Sequence, residues 1–161
     1  IVHRLLQNLP NLAPDRREAA ARVFASRPAL ALAKEAQDEI VAETLAVINH
    51  PDFAHLFRPG SLAEVPIVGL VGDGAGARAI SGQVDRLVVT DDTVTVVDFK
   101  TNRPPPEKEN DVAPAYLRQM AAYRWALAKI YPGRVVEAVL LWTAGPRLMP
   151  LSARLLDAYS P

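Results

Sequence analysis

The spacing of hydrophobic residues changes about one third of the way along the chain. The first part repeats apolar side chains every three or four positions, which predicts helices over residues 1–8, 15–26 and 29–49. The middle is rich in Val, Ile and Leu in short runs, which predicts strands over residues 62–72, 79–89 and 94–100. The remainder predicts a helix over 112–131, a fourth strand over 134–144 and a short helix over 152–159.

Two short turn sequences connect the three middle strands. "GDGAG" (72–76) and "TDDT" (90–93) are typical of tight turns, and residues 52–60 are predicted as a loop. Strands joined by tight turns are antiparallel. The predicted fold is therefore mixed α/β, with a mostly antiparallel central sheet flanked by helices and a helical N-terminal portion.

The composition narrows the class of protein. The chain has 161 residues, half of them hydrophobic, which suits one domain with a substantial core. It has no cysteine, which excludes disulfides and cysteine-bound zinc or iron–sulfur clusters and fits a cytoplasmic location. No apolar run approaches the roughly 20 residues of a membrane span, so no membrane association is predicted.

The charge balance bears on possible partners. Eighteen basic residues match eighteen acidic ones, whereas a domain that holds nucleic acid by its own field is usually basic. If the chain acts on DNA, another part of a larger assembly is expected to hold most of the substrate. The sequence also starts inside a predicted helix at Ile1, and we therefore expect residues 1–161 to be one domain cut from a longer polypeptide.

The segment "VDFKTNR" (97–103) carries the first candidate chemistry. Asp98 and Lys100 lie two residues apart on a predicted strand, so their side chains share one face. Taken alone, such a pair is usually a solvated ion pair. If Asp91 and Asp92 form the tip of a hairpin, facing residues have numbers summing to 183, and Asp85 lies opposite Asp98.

Two opposed carboxylates need a compensating charge. Their repulsion at partial burial costs on the order of 1 kcal/mol or more, and a divalent cation such as Mg²⁺ removes it. The pairing of Asp85 with Asp98 therefore predicts a metal site. It also predicts that Asp85→Asn raises the stability of the metal-free protein by about 1 kcal/mol.

Five segments together resemble one family. They are "VHRLLQ" (2–7), "AEVPI" (63–67), "GQVDRLVV" (82–89), "VVDFKTNR" (96–103) and "RQMAAYRWAL" (118–127). In this order they resemble the PD-(D/E)XK nuclease superfamily, and within it the RecB/AddA-like C-terminal nuclease domain of bacterial helicase–nucleases. The resemblance implies a restriction-endonuclease-like core. Because the iron–sulfur versions need four cysteines, the chain resembles the AddA branch.

The resemblance implies a set of metal ligands. Asp85 and Asp98 would bind Mg²⁺, or Mn²⁺ in its place, and His3 would join from the first helix. The carbonyl of Phe99 would complete the site. Lys100 would orient or activate the attacking water, or stabilise charge on the phosphate.

Three further residues are implied in catalysis. Glu64 matches a family glutamate on the first strand. Gln119 and Tyr123 match the family's Gln-x-x-x-Tyr motif, and their spacing places both on one helix face, one turn after Tyr116. They would either contact DNA or support Lys100.

The implied activity is Mg²⁺-dependent hydrolysis of phosphodiester bonds. The domain would act as an exonuclease on single-stranded DNA from duplex ends, in double-strand break repair and recombination. Its partners would be helicase domains of the same chain and a second, AddB-like subunit. Two alternatives remain: a catalytically inactive module of the same fold that binds DNA or docks a subunit, and a stand-alone PD-(D/E)XK nuclease.

Overall fold

A five-stranded sheet runs through the middle of the protein, and the computed structural model describes residues 1–71 and 78–161. The strands are β1 (Leu62–Val71), β2 (Arg78–Val89), β3 (Thr93–Lys100), β4 (Val135–Trp142) and β5 (Arg147–Leu151). They lie side by side in chain order, with β3 and β4 parallel and all other neighbours antiparallel. This mostly antiparallel sheet confirms the predicted fold class.

Helices cover both faces of the sheet. One face packs against α1 (Val2–Asn8), α2 (Pro14–Ala25) and α3 (Lys34–Ile48). The other packs against α4 (Pro114–Ile130) and α5 (Ala153–Asp157). Because parallel strands need a long crossover connection, α4 is what allows β3 and β4 to pair. No helix in the described ranges has the length and apolar character to cross a membrane.

Strand β3 is buried on both faces, which accounts for its almost continuous apolar sequence. Val96 packs toward α4, whereas Val97 and Phe99 pack toward α1, α2 and α3. Asp98 and Lys100 alternate with these residues and therefore share the α4 face. They are 4% and 9% exposed. The end of a central strand thus holds two charged side chains in the interior, where an unpaired charge would be costly.

Helix α3 starts five residues later than the sequence pattern predicts. Residues 29–49 were expected to be helical, but Pro28–Leu30 forms a separate 3-10 turn. Ala31 then adopts a left-handed conformation, with φ of 48°, which ends that turn. Since L-residues do not continue a right-handed helix from this conformation, α3 begins only at Lys34.

The last strand, β5, is not predicted by the sequence pattern. It is five residues long, contains Pro150 and lies at the edge of the sheet, where proline is tolerated. Part of the predicted loop 52–60 is also ordered as a 3-10 helix, Pro51–Leu56. The predicted "GDGAG" turn (72–76) lies outside the described residues.

Candidate active site

The candidate site lies where β2 and β3 separate. Their ladder pairs Val89 with Val94 and continues to Arg86 with Val97, which confirms the register predicted from the Asp91–Asp92 tip. The ladder ends there, whereas β3 continues alongside β4 to Lys100. Beyond the end of the ladder, β2 pairs only with β1. The end of β3 therefore forms one side of a fork, and β2 forms the other.

The predicted direct opposition of Asp85 and Asp98 needs a correction. The two residues are in register, but the ladder stops one pair before them. Instead, Asp85 Oδ2 accepts a hydrogen bond from the backbone N–H of Phe99 at 2.6 Å. The carboxylate thus satisfies a backbone donor that loses its strand partner when β2 turns away. Asp85 is a structural hydrogen-bonding partner as well as an acid.

An irregularity in the neighbouring strands β1 and β2 directs Asp85 toward the fork. Val84 packs in the core beneath α4, but Arg86 donates to the Leu6 carbonyl at 2.8 Å on the opposite face. Residues two apart on a regular strand share a face, so the alternation is reversed around Asp85. Glu64, which lies opposite Asp85 on β1, has a φ of 54°, a conformation that costs about 1–3 kcal/mol for a residue other than glycine.

His3 approaches Asp85 from the first helix. Its Nδ1 atom lies 3.5 Å from Asp85 Oδ1, and its ring meets the Phe99 ring edge-on. The hydrogen bond with Asp85 raises the pKa of the His3 imidazole, against the opposing effect of burial. The buried Arg86 guanidinium bonds to the Leu6 carbonyl and so fixes α1 in the position that brings His3 to the fork.

Lys100 is held on three sides. Its Nζ atom lies 2.5 Å from Asp98 Oδ2, donates to Gln119 Oε1 at 3.1 Å and sits 3.8 Å from the centre of the Tyr116 ring. Burial raises the pKa of the Asp98 carboxyl, while the charge of Lys100 opposes that rise. The ammonium group is therefore fixed in position at the end of β3.

Gln119 and Tyr123 link Lys100 to β2. The amide of Gln119 donates to Tyr123 Oη at 3.1 Å, and Tyr123 Oη donates to the Gln83 carbonyl at 3.0 Å. The Tyr123 ring packs directly on Gly82, where a Cβ atom would lie 2.6 Å from the ring. A glycine at this position is what allows α4 to approach β2 closely enough for the chain of hydrogen bonds to form.

Gly82→Ala should therefore disturb the site through Tyr123. The added methyl group forces the tyrosine or the strand to move, and we expect a loss of about 1–3 kcal/mol in unfolding free energy together with a loss of the phosphodiester cleavage that the sequence resemblance implies. Gly69→Ala is the matched control on β1, since its Cβ would meet only ordinary contacts, the nearest at 3.6 Å. Denaturant melts and cleavage assays measure both effects. Equal stability and activity in the two variants would contradict this packing role.

A second set of contacts holds the backbone of Lys100 and was not found from the sequence. Thr143 donates its N–H to the Lys100 carbonyl at 3.0 Å, and its hydroxyl donates to the buried carboxylate of Glu43. Arg103 bridges Glu43 and Glu39 on α3. The only sequence signals are Arg103 within "VDFKTNR" and the spacing of the two glutamates by one helical turn. These contacts tie the end of β3 to α3.

The structure brings most of the predicted residues to the fork. They are His3, Asp85, Asp98, Phe99, Lys100, Gln119 and Tyr123. Glu64 lies in the adjacent strand, and its carboxylate makes no hydrogen bond to them within the described ranges. Its charge acts on Arg86 instead, where it opposes the lowering of the arginine pKa by burial.

The chemistry of the side chains suits a divalent cation, although they are not arranged as a finished ligand set. Among the described residues, no three His, Asp or Glu side chains form a group that could hold a metal ion. The acidic and imidazole side chains are already paired within the protein, His3 with Asp85 and Asp98 with the Lys100 ammonium group. Two carboxylates and an imidazole are nonetheless donors that divalent metals accept. The residue types therefore fit a divalent cation.

Comparison with known proteins identifies the class. The family model described as the PD-(D/E)XK nuclease superfamily matches residues 1–149. The chain belongs to this superfamily, whose members are nucleases that generally use divalent metal ions, commonly Mg²⁺. The mixed sheet flanked by helices is accordingly a restriction-endonuclease-like core.

Two further comparisons add little to the family assignment. Among curated proteins, none matches the sequence significantly. A solved structure described as the crystal structure of SSO0001 is similar with a TM-score of 0.41 and 16% sequence identity. The similarity covers 77% of this chain and 61% of that one.

Proposed function

We propose that this protein is a Mg²⁺-dependent DNA nuclease in which the fork between β2 and β3 holds the scissile phosphate. The observation that carries the proposal is the placement of the Lys100 ammonium 2.5 Å from Asp98 and 3.1 Å from Gln119, in the same fork as Asp85. Hydrolysis of a phosphodiester is helped by a cation beside the phosphate and by carboxylates that bind a metal ion. This fork provides both types of group.

In this proposal the acids hold the ion. Asp85 and Asp98 would be its ligands, with His3 and the Phe99 carbonyl completing the set. A bound Mg²⁺ neutralises phosphate charge and lowers the pKa of water. The irregular backbone at Glu64 supports such a role for Asp85, because strained residues persist where surrounding structure fixes them and are frequent at active sites.

Lys100 would act on the water and the phosphate. An ammonium group has three N–H donors and no acceptor, so it cannot bind a metal ion itself. Its contacts with Asp98 and Gln119 restrict its rotation, and we infer that it orients the attacking water or stabilises charge on the phosphate. Gln119 and Tyr123 would be positioning residues, since Gln119 reaches Lys100 directly and Tyr123 fixes Gln119.

The biological setting we propose is that of an AddA-like helicase–nuclease. The domain would act as an exonuclease on single strands that motor domains of the same chain, with an AddB-like subunit, unwind from duplex ends during break repair. The five motif segments and the balanced charge support this division of labour. A stand-alone nuclease would use the same residues, and the coding sequence upstream and downstream of this segment distinguishes the two settings.

Purified protein should degrade single-stranded DNA in Mg²⁺ or Mn²⁺ and stop when chelator is in excess. The expected rate is low without a motor, because zero net charge gives little electrostatic attraction to DNA. Gel assays of labelled oligonucleotides measure cleavage, and a Lys100→Met preparation controls for contaminating nucleases. Cleavage that persists in chelator would refute the metal mechanism. Binding of DNA without any cleavage would favour the inactive-module alternative.

A further inference from the structure

A groove beside Lys100 remains unused by the proposed chemistry. Its volume is about 540 Å³, and it lies between the β1–β2 ribbon and α4. Gln119 and Tyr123 form part of its lining and also belong to the hydrogen-bonded chain that holds Lys100. Any group that enters the groove therefore sits next to the position proposed for the scissile phosphate.

The walls of the groove restrict the chemistry of its occupant. Ile67 and Ile80 provide apolar surface, and the small side chains of Ala115 and Ala122 leave space on the helix side. The apolar part of these walls offers a phosphate or another strongly hydrated ion no compensation for the water it would lose. A flat, uncharged ring with polar edges suits these walls, because its faces can pack on apolar atoms while its edge meets Gln119.

The mouth of the groove has the opposite character. Arg118 lines it, is exposed, and makes no ion pair within the described part of the chain. An arginine in this position attracts a phosphate that follows the occupant along a strand. The combination of an apolar slot, a cation at its mouth and a reactive centre at its end matches one nucleotide of a polynucleotide.

We propose that this groove receives an unpaired nucleobase adjoining the scissile phosphate, an inference that rests on the nuclease function proposed above. A base in a duplex must first be unpaired and unstacked at a cost in free energy, whereas a single strand can place a base here without unpairing it. Base contacts with protein surfaces tolerate any sequence and contribute affinity without net charge. The groove would thus give this neutral domain its hold on DNA and its preference for single strands.

The test compares two probes in chelator, where no cleavage occurs. One is a fluorescently labelled oligothymidylate, and the other is an abasic oligodeoxyribonucleotide of the same length and charge. Anisotropy titrations should give a Kd about tenfold lower for the oligothymidylate with the parent protein. Equal Kd values for the two probes would overturn the proposal.

Substitutions in α4 then test whether the tighter binding of oligothymidylate depends on this groove. Ala122→Leu fills the groove from the helix side and should weaken oligothymidylate binding about tenfold while leaving abasic binding unchanged. Ala115→Leu, at an exposed position in the first turn of α4, provides a second filling variant with little risk to folding. Ala128→Leu, on the same helix outside the groove, is the matched control and should bind both probes as the parent does.

The outcomes separate this inference from the nuclease function. If both filling variants raise the Kd of the two probes by the same factor, or change neither Kd, the groove does not hold a base. If the parent binds the oligothymidylate more tightly but never cleaves DNA in Mg²⁺, the base-binding groove is supported and the proposed nuclease function is refuted. Cleavage by a parent without any preference would refute only the groove.

Discussion

Lys100→Met should reduce the rate of DNA cleavage by about 100- to 1,000-fold, the usual cost of removing one preorganised donor from a charged transition state. The substitution keeps an unbranched side chain of similar length and removes only the ammonium group. Mn²⁺ affinity, measured by calorimetry, should be largely retained because lysine cannot ligate the ion. Loss of metal binding together with activity would instead show that Lys100 maintains the shape of the site.

The same substitution has a predictable cost in stability. Asp98 is buried and would lose the cation 2.5 Å away, which typically costs about 3–5 kcal/mol in unfolding free energy. The double variant Asp98→Asn with Lys100→Met removes both charges and should recover most of that loss, while remaining inactive. Denaturant melts of the two single variants and the double variant complete the cycle. A double variant no more stable than Lys100→Met would contradict a coupled pair.

Asp85→Ala should abolish cleavage and destabilise the protein, whereas Asp85→Asn should abolish cleavage with little loss of stability. The alanine variant leaves the Phe99 N–H without its acceptor at 2.6 Å, a cost of about 1–3 kcal/mol. The asparagine variant retains an amide oxygen that can accept the same hydrogen bond. Its stability in chelator should therefore lie within about 1 kcal/mol of the parent.

The expected stability of Asp85→Asn differs from the one that the sequence alone predicts. Repulsion from Asp98 alone predicts that Asp85→Asn is more stable than the parent without metal, but the hydrogen bond to Phe99 is charge-assisted in the parent and opposes that gain. Six thermal melts, of the parent, Asp85→Ala and Asp85→Asn, each with and without Mg²⁺, measure the repulsion and the hydrogen bond. Mg²⁺ should stabilise the parent by mass action and neither variant. Alanine and asparagine variants of equal stability would show that the hydrogen bond contributes nothing.

Local rules explain what the sequence could predict about the site. A two-residue hairpin tip fixed the register of β2 and β3, and strand alternation placed Asp98 and Lys100 on one face. Helical spacing placed Gln119 and Tyr123 on one face of α4. Each of these relationships depends on residues that are close in the chain, so periodicity alone is sufficient to find them.

The sequence by itself thus determined four of the five strands, the register of β2 with β3 and the residues that carry the candidate chemistry. Tertiary structure alone decided how Asp85 is aimed, through a reversed alternation opposite a left-handed Glu64 that no propensity favours. It also decided the contact of Glu43 with Thr143, which lie 100 residues apart. Such contacts depend on how helices dock on the sheet, and the free energy of docking comes from the whole core rather than from any local pattern.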